Sequence, residues 1–227
     1  MESFSERTVL LIGETAYARL QNSRVVVAGL GGVGGHCAEA LARAGVGWLH
    51  LVDNDTVNTS NLNRQLVATK HTIGMRKTDA MAERIRDVSN CEVTTCDRWI
   101  DAGSVGQIIP AHTDFLVDAI DSTAGKVALI GYAQAHQIPI VSCMGAGNRL
   151  DAGQFQVIDL YQTKNCPLAR RMRQELRKVG IAALPVVCSS ETACTQKNQA
   201  TIGSLAPVTA TAGLRAANYV ILELLKK

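Results

Sequence analysis

The stretch VVVAGLGGVGG, from Val25 to Gly35, decides the fold. Four apolar residues lead into a glycine-rich turn with the spacing Gly29-x-Gly31-x-x-Gly34. A continuous apolar run before such a turn is typical of a buried strand that feeds a helix whose N-terminus binds phosphate. The stretch alone leaves open whether that phosphate belongs to a dinucleotide used for hydride transfer or to ATP.

Apolar runs and helical patterns alternate along the first 143 residues. The predicted strands cover residues 24–28, 48–53, 91–96, 114–120 and 138–143, and the predicted helices cover residues 14–22, 33–43, 75–88 and 124–136. Such alternation is typical of an α/β fold with a doubly wound, Rossmann-like and mainly parallel sheet. In that fold, ligands bind outside the carboxyl ends of the strands.

The pattern changes after Gly147. The sequence then predicts an additional strand over residues 154–160, a basic helix from Pro167 to Lys178, a mobile loop from Ser189 to Ser204 and a last helix from Val208 to Leu225. No repeat or long linker in the sequence marks a second independent domain. We therefore predict one domain over residues 1–227, in which residues 148–227 form a C-terminal substrate-binding extension.

The composition describes an ordinary globular protein, since 47% of the 227 residues are hydrophobic and 19% are charged. The formal net charge of +3 is compatible with a nucleic-acid partner without requiring one. Seven cysteines without any Cys-x-x-Cys pair exclude a zinc ribbon and suit a reducing compartment. The N-terminal residues lack a signal-peptide pattern, and Arg215, Asn218 and Glu223 argue against a membrane-spanning last helix. We therefore expect a cytoplasmic protein.

One acidic residue supports a dehydrogenase. Asp53 ends the second predicted strand, which is where a ribose-binding carboxylate belongs in a dinucleotide-binding fold. Together with the turn at Gly29, Gly31 and Gly34, this carboxylate favours a nicotinamide enzyme.

Further polar residues favour a triphosphate instead. Asn61, Arg64 and Gln65 follow the second predicted strand, and Lys77 lies at the start of the next helix. A guanidinium and an ammonium suit several phosphate oxygens better than a nicotinamide ring. Asp121 follows the fourth predicted strand and is placed to hold Mg²⁺ through one carboxylate. Each residue taken alone is an ordinary surface residue, but together they indicate an ATP site.

These residues also carry a resemblance to a known family. The segments GLGGVGG, DNDTVNTSNLNRQ, GMRKTDAMAERI and DAIDS resemble the nucleotide site of the ThiF/MoeB superfamily of adenylating enzymes. The resemblance implies ATP and Mg²⁺, with Asp53 on the ribose and Asp121 near the metal. It also implies nucleotide contacts from Gly29, Gly31, Gly32, Gly34, Asn61 and Gln65, and catalytic roles for Arg64, Lys77, Asp121 and Arg7. Members are typically homodimers, in which an arginine such as Arg7 reaches into the partner's site.

The later part of the chain resembles one branch of that superfamily, the tRNA threonylcarbamoyladenosine dehydratases. The segments that carry this resemblance are CMGAGNRLDAGQFQVIDLYQTKNCPLARRMRQELRK, VVCSSETA and GSLAPVTATAGL. The branch uses ATP to cyclise a threonylcarbamoyl group on an anticodon-loop adenosine of tRNA, which implies carboxylate adenylation and then intramolecular ring closure. In VVCSSETA, Ser-Ser-Glu departs from the Phe-Ser-Thr-Glu expected there.

The alternative function is adenylation of the C-terminus of a ubiquitin-like sulfur-carrier protein. Enzymes of that kind often bear Cys-x-x-Cys zinc pairs, which this sequence lacks. A cysteine in the region of Cys188 can form a thioester or persulfide in those relatives, and a cysteine-desulfurase or sulfur-acceptor system is therefore a candidate partner. The alternative for Cys188 is a structural role. Ser189, Ser190 and Glu191 are candidate ligands of a monovalent cation, Na⁺ or K⁺.

The helix predicted from Pro167 to Lys178 is a candidate tRNA surface. An apolar stripe at helical spacing is formed by Leu168, Met172, Leu176 and Val179, so the basic residues are expected to face outward. The basic residues are Arg170, Arg171, Arg173, Arg177 and Lys178. We interpret them as contacts to tRNA phosphates, with Arg149 as a further candidate, and the alternative is a solvated helix face.

Overall fold

The computed structural model describes residues 4–194 and 201–226. Within these residues, the strands are β1 (Arg24–Ala28), β2 (Trp48–Val52), β3 (Glu92–Cys96), β4 (Phe115–Asp118), β5 (Ile140–Cys143), β6 (Phe155–Asp159) and β7 (Pro185–Ser189). The α-helices are α1 (Glu6–Ile12), α2 (Glu14–Gln21), α3 (Gly34–Ala44), α4 (Lys77–Val88), α5 (Val105–Ile108), α6 (Thr123–Ala135), α7 (Pro167–Lys178) and α8 (Ala206–Lys226).

The strands form one sheet in the order β3-β2-β1-β4-β5-β7-β6. Neighbouring strands in it are parallel, except for β6 and β7, which pair antiparallel. The predicted doubly wound, mainly parallel fold is therefore confirmed. Ala28 of β1 lies opposite Val52 on one side and Asp118 on the other. The chain reverses its direction across the sheet at this point, and such a switch point opens a crevice at the carboxyl ends of the strands.

The two faces of the sheet are covered by different helices. Val25 and Val27 of β1 belong to a buried cluster that includes residues of α3 and α8. Val26 and Ala28 point the other way and pack with residues of α5 and α6. This burial on both faces explains why β1 is a continuous apolar run rather than an alternating one.

Helix α8 packs directly against the turn that follows β1. A Cβ atom at Gly213 of α8 would overlap the carbonyl oxygen of Val33, so the two backbones are in contact. A Cβ atom at Gly32 would lie 3.0 Å from the Thr209 hydroxyl oxygen, which is also on α8. The C-terminal helix therefore supports the glycine-rich turn from behind.

The part of the sheet beyond β5 has its own apolar cluster. Met172 and Leu176 of α7 pack there with Leu184, Val186 and other buried residues. The sequence analysis predicts β6 in this region but not β7. It also does not predict the helices α1 and α5. The predicted loop from Ser189 begins inside β7, and its residues 195–200 lie outside the described residues. Among the helices of the described residues, none has the length and apolarity that a membrane crossing requires.

Candidate active site

A crevice of about 470 Å³ opens at the carboxyl ends of β1, β2, β3 and β4. The predicted nucleotide residues that line it are Gly29, Gly31, Gly32, Asp53, Asn61, Arg64, Gln65, Lys77 and Asp121. These residues come from three segments of the chain, which follow β1, β2 and β4, and the sheet brings them to one edge. The structure shows these residues around a single crevice, as the sequence predicts.

The glycine-rich turn is tightly enclosed by its neighbours. Gly29 has φ +89°, and a Cβ atom there would lie 2.7 Å from the carbonyl oxygen of Ala119. A Cβ atom at Gly34 would overlap the carbonyl oxygen of Gly29. Gly34 is not among the residues that line the crevice, so its position serves the close approach of α3 to β1 rather than contact with a ligand.

Asp53 connects the end of β2 to the glycine-rich turn. One carboxylate oxygen accepts a hydrogen bond from the Leu30 amide at 2.6 Å, and the other accepts one from the Asp55 amide at 2.9 Å. Burial raises the pKa of the Asp53 carboxyl above its usual value, while the Lys77 ammonium and the two amides oppose this shift. Each oxygen retains acceptor capacity toward the crevice.

Lys77 reaches the crevice because the loop after β2 folds back on itself. An antiparallel bridge joins Thr56 to Arg76, and the Lys77 amide donates to the Asp55 carbonyl at 3.1 Å. The Lys77 Nζ then lies 2.7 Å from the Asp55 carboxylate and 3.9 Å from that of Asp53. The ammonium is therefore buried between two carboxylates at the wall of the crevice.

Three further predicted residues lie on the turn inside this loop. Asn61 is buried, and its Oδ1 caps the turn by accepting from the Asn58 amide at 3.0 Å. Arg64 is half-buried, and its Nη1 donates to the Ser60 carbonyl at 2.8 Å. The buried Oε1 of Gln65 has no hydrogen-bond partner among the described residues, although the side chain lines the crevice.

The two acidic residues at the end of β4 differ completely. Asp121 is exposed on the wall of the crevice. Asp118 is fully buried, and both of its oxygens lie 3.0 Å from the Lys126 ammonium. The same ammonium donates to the Cys143 carbonyl at 2.8 Å, and the Ser142 hydroxyl donates to Asp118 at 2.5 Å. Asp118 therefore belongs to an internal ion pair that joins β4, β5 and α6.

The sequence analysis missed several residues of the crevice. Arg98, Trp99 and Ile100 line it from the loop after β3, and Ser122 lines it after β4. Trp99 is 52% exposed. Aromatic residues make up only 4% of the sequence, so a tryptophan shortly after a predicted strand is unusual. That position was the signal by which Trp99 could have been found.

The basic helix agrees only in part with its prediction. Arg170, Arg171, Arg177 and Lys178 are exposed on α7. The predicted outward orientation is wrong for Arg173, whose guanidinium is half-buried and donates to Thr163 and to the Leu160 carbonyl. Val179 follows the last residue of α7 and is 55% exposed, so it does not extend the apolar stripe. The predicted surface role of Arg149 is also wrong, because its side chain is buried.

Other predicted residues lie away from the crevice. Arg7 is exposed on α1 and is not among the residues that line the crevice. The Glu191 carboxylate accepts from the amides of Leu150 and Asp151, and the Ser189 hydroxyl accepts from the Glu191 amide. Within residues 4–194 and 201–226, no group of three acidic, histidine or cysteine side chains is arranged to hold a metal ion.

Comparisons with known proteins agree with this site. The profile of the ThiF family matches residues 5–227. The tRNA threonylcarbamoyladenosine dehydratase of Bacillus subtilis is 37% identical over 238 residues, which are 97% of this chain and 94% of that protein. The enzyme of the same name from Escherichia coli is 35% identical over 248 residues, which are 97% of this chain and 92% of that protein.

A solved structure is equally similar. The crystal structure of the E. coli tRNA N6-threonylcarbamoyladenosine dehydratase in complex with ATP superposes with a TM-score of 0.92 at 35% identity. The match covers 97% of this chain and 93% of that one, so it includes both the crevice and the region beyond β5.

Proposed function

We propose a function from one premise, which is that the chain belongs to the ThiF family. The protein is an ATP-dependent tRNA threonylcarbamoyladenosine dehydratase, the activity for which its relatives at 35% and 37% identity are named. The observation that carries the proposal is the single crevice that brings Asp53, Arg64, Lys77 and Asp121 together. Adenylation of a sulfur-carrier protein is the less supported alternative.

The order of the strands gives the direction of the bound ATP. Asp53, after β2, receives the ribose hydroxyls. The adenine then lies toward β3, where Trp99 offers an exposed ring for stacking. The phosphates lie toward β1, where the turn at Gly31 and the N-terminus of α3 present backbone amides.

The polar residues on the phosphate side supply charge and hydrogen bonds. The Arg64 guanidinium and the Lys77 ammonium face the phosphates, and the Gln65 side chain lines the same crevice. Asp121 would hold Mg²⁺ through its carboxylate, which is exposed at the crevice and is an oxygen ligand of the kind this ion prefers. When bound, Mg²⁺ neutralises charge on the phosphate oxygens.

The reaction proceeds in two steps. The threonine carboxylate of the modified adenosine attacks the α-phosphorus of ATP, and pyrophosphate leaves. Arg64 and Lys77 stabilise the charge that develops on the phosphate oxygens. A ureido nitrogen of the same substituent then attacks the acyl carbon, loses its proton and expels AMP, so a five-membered ring closes. Ring closure within one substituent avoids an entropic cost of about 7–11 kcal/mol in favourable cases, and no enzyme nucleophile is needed.

The test follows one oxygen atom. The purified protein is incubated with ATP, Mg²⁺ and tRNA whose threonylcarbamoyl carboxylate carries heavy oxygen. We expect the nucleoside to lose the mass of one water and the AMP to gain one heavy oxygen. Pyrophosphate exchange with a Gly-Gly-ended carrier protein, without any change in the tRNA, would instead support the alternative function.

We propose that residues 148–227 form the tRNA-binding extension and that α7 contacts phosphates. The exposed cations Arg171 and Lys178 are changed to Glu, and tRNA binding is measured at several salt concentrations. Each lost phosphate contact should lower the slope of log affinity against log salt by about 0.7–0.9. The matched control changes Arg43 and Arg86 to Glu, because both are exposed cations on other helices. An equal change of slope in the control would remove α7 from the RNA surface.

We also propose a homodimer in which Arg7 completes the partner's site. Helix α1 supports this because it has no buried residue, and Leu10 and Leu11 beside Arg7 are 80% and 84% exposed. Mixing an Arg7→Ala protein with a Lys77→Ala protein should restore activity, since one site of each mixed dimer then lacks neither residue. No recovery after verified subunit exchange would place Arg7 outside the partner's site. A sulfur-acceptor partner and a monovalent cation stay predictions.

A further inference from the structure

Beyond the crevice, one buried guanidinium lacks a carboxylate partner within the described residues. Arg149 lies in the loop after β5 and is 2% exposed. Its Nη2 donates to the Asn165 carbonyl at 3.0 Å, but its Nε and Nη1 have no hydrogen-bond partner there. A buried charge of this kind is costly unless an anion faces it.

Two thiols lie beside this guanidinium. Cys166 is the residue that caps the N-terminus of α7, and Cys188 is on β7. They are 5% and 2% exposed, and the Cys188 Sγ donates to the Ser189 carbonyl at 3.5 Å and lies close enough to interact with Cys166. The charge of Arg149 acts on both thiols, and that of Arg173 on α7 acts on Cys188. The cysteines belong to one apolar cluster, so water does not screen these charges.

The surroundings of Cys166 favour its thiolate. The Ala169 amide, in the first turn of α7, donates to the Cys166 sulfur at 3.5 Å. Hydrogen bonds from Cys188 and from the amides of Ala169 and Gly145, together with the Arg149 charge, lower the pKa of the Cys166 thiol to about 5. The pKa of Cys188 is raised, because its proton is held by the hydrogen bond to Cys166 and because it is buried. The pair therefore shares one proton, which stays on Cys188.

We propose that Cys166 and Cys188 form an oxidisable dithiol, in which Arg149 and the first turn of α7 hold the reactive thiolate of Cys166. The oxidant is a small peroxide, since the slight exposure of the two sulfurs excludes larger reagents. The Cys166 thiolate attacks one oxygen of hydrogen peroxide, which gives a sulfenic acid and releases hydroxide. The Cys188 thiol then attacks the Cys166 sulfur, and the sulfenic oxygen leaves as water with the Cys188 proton. One disulfide forms, and the peroxide is reduced by two electrons.

The other cysteines provide internal controls in the same molecule. Burial raises the pKa of Cys91 and of Cys143 to about 12, so both should stay reduced. Cys194 is exposed and would react first if exposure alone set the rate. At about pH 6, an ordinary thiol with a pKa of about 8.5 is almost entirely protonated, whereas the Cys166 thiolate is still present.

The test treats the full chain with hydrogen peroxide at about pH 6, blocks free thiols by alkylation and maps the peptides by mass spectrometry. We expect a peptide pair linked through Cys166 and Cys188, which forms faster than any oxidation of Cys194 and is reversed by a dithiol reductant. The Cys188→Ser variant should instead accumulate a Cys166 sulfenic acid, which a dimedone probe traps once the oxidised protein is unfolded. Oxidation of Cys194 while Cys166 stays reduced would overturn the proposal.

A pair of Arg149 variants tests the guanidinium itself. Arg149→Lys keeps a positive charge and should keep most of the rate at which Cys166 is oxidised. Arg149→Met should slow that oxidation by about tenfold for each unit by which the pKa of Cys166 rises above the assay pH. Circular dichroism confirms that each variant is folded before its rate is compared. Equal rates in the two variants would show that Arg149 does not hold the thiolate.

Discussion

The nucleotide crevice and the thiol cluster formed by Arg149, Cys166 and Cys188 lie along the same edge of one sheet. The crevice is at the carboxyl ends of β1 to β4, and the cluster is beside the ends of β5 and β7. In the crevice, Lys77 lies between two carboxylates in a cavity of about 470 Å³. In the cluster, the guanidinium is buried without a carboxylate partner among the described residues, and its charge acts on two thiols.

The two regions differ in the groups that balance their charged side chains. The charges of the crevice are balanced by neighbouring carboxylates, and these contacts can be rearranged when a polyanion enters the cavity beside them. The cluster has no such room, and its balance depends on the protonation state of one thiol. Between the two regions lies the Asp118–Lys126 pair, which is fully buried and complete in itself. The same edge therefore holds an open, a closed and a redox-dependent arrangement of charge.

The largest effect on stability is expected for the fully buried Asp118–Lys126 pair. Lys126→Ala leaves the buried Asp118 without a counterion and should lower the free energy of unfolding by about 3–5 kcal/mol. The control is Lys178→Ala, which removes an exposed pair with Glu175 and should cost about 0.2–0.5 kcal/mol. Urea unfolding measures both. Similar losses in the two variants would contradict the view that the internal pair differs from a surface pair.

The next largest effect is expected in the nucleotide crevice. It concerns the rate of the reaction rather than the stability of the fold. Lys77→Ala removes a cation that stabilises developing charge, so kcat should fall by about 10²–10³, equivalent to about 2.7–4 kcal/mol. Arg86→Ala, an exposed cation on the same helix, is the control and should keep full activity. Pyrophosphate release and urea unfolding are measured together. A stability loss as large as that of Lys126→Ala would erase the distinction between the two regions.

A smaller effect is expected at the adenine end of the crevice. Trp99→Ala should weaken ATP binding by roughly 5- to 150-fold, which corresponds to about 1–3 kcal/mol of stacking. Trp99→Phe keeps an aromatic face and should bind almost as well as the unchanged protein. Calorimetry measures the ATP affinity of all three proteins. In the unchanged protein, quenching of tryptophan fluorescence by ATP reports on Trp99, because the other tryptophan, Trp48, is buried and stacked on His50. Unchanged affinity in the alanine variant would place the base elsewhere.

The smallest effect is expected on the helix that begins at the thiol cluster. The Arg177 guanidinium lies 5.3 Å from the centre of the Tyr161 ring. Arg177→Ala should therefore lower the free energy of unfolding by about 0.5–1 kcal/mol, and Arg170→Ala, equally exposed, should lower it less. Urea unfolding of the two variants separates a structural cation from a merely solvated one. Equal values would leave Arg177 without a role in packing.

The sequence predicts the crevice well because many of its residues lie at or just after the ends of predicted strands. Gly29, Asp53 and Asp121 each follow directly on a predicted strand, and parallel strands end at one edge. The polar loop after Asp53 carries Arg64 and leads to Lys77, and both reach the crevice. Trp99 was missed although it has a comparable position, because a single aromatic residue has no spacing that could distinguish it.

The region beyond β5 is less predictable for physical reasons. Strand β7 has only five residues, the first of which is a proline, and its burial comes from α7 and β6 rather than from its own pattern. Arg173 lies four positions after the buried Ala169, at the border of the apolar stripe, and its long side chain reaches backbone carbonyls inside the fold. For Arg149, no local pattern indicates burial, because the thiols that face it are distant in the sequence.

The contact of α8 with the glycine-rich turn has a consequence for how the protein is made. The turn is synthesised early, yet Thr209 and Gly213, which pack behind Gly32 and Val33, leave the ribosome only after every strand. A nascent chain that already has β1 and β2 therefore lacks the support that shapes its phosphate-binding turn. Contacts so far apart in the sequence also slow folding. Nucleotide binding should accordingly appear late in synthesis, once α8 is available, and not when the glycine-rich segment first emerges.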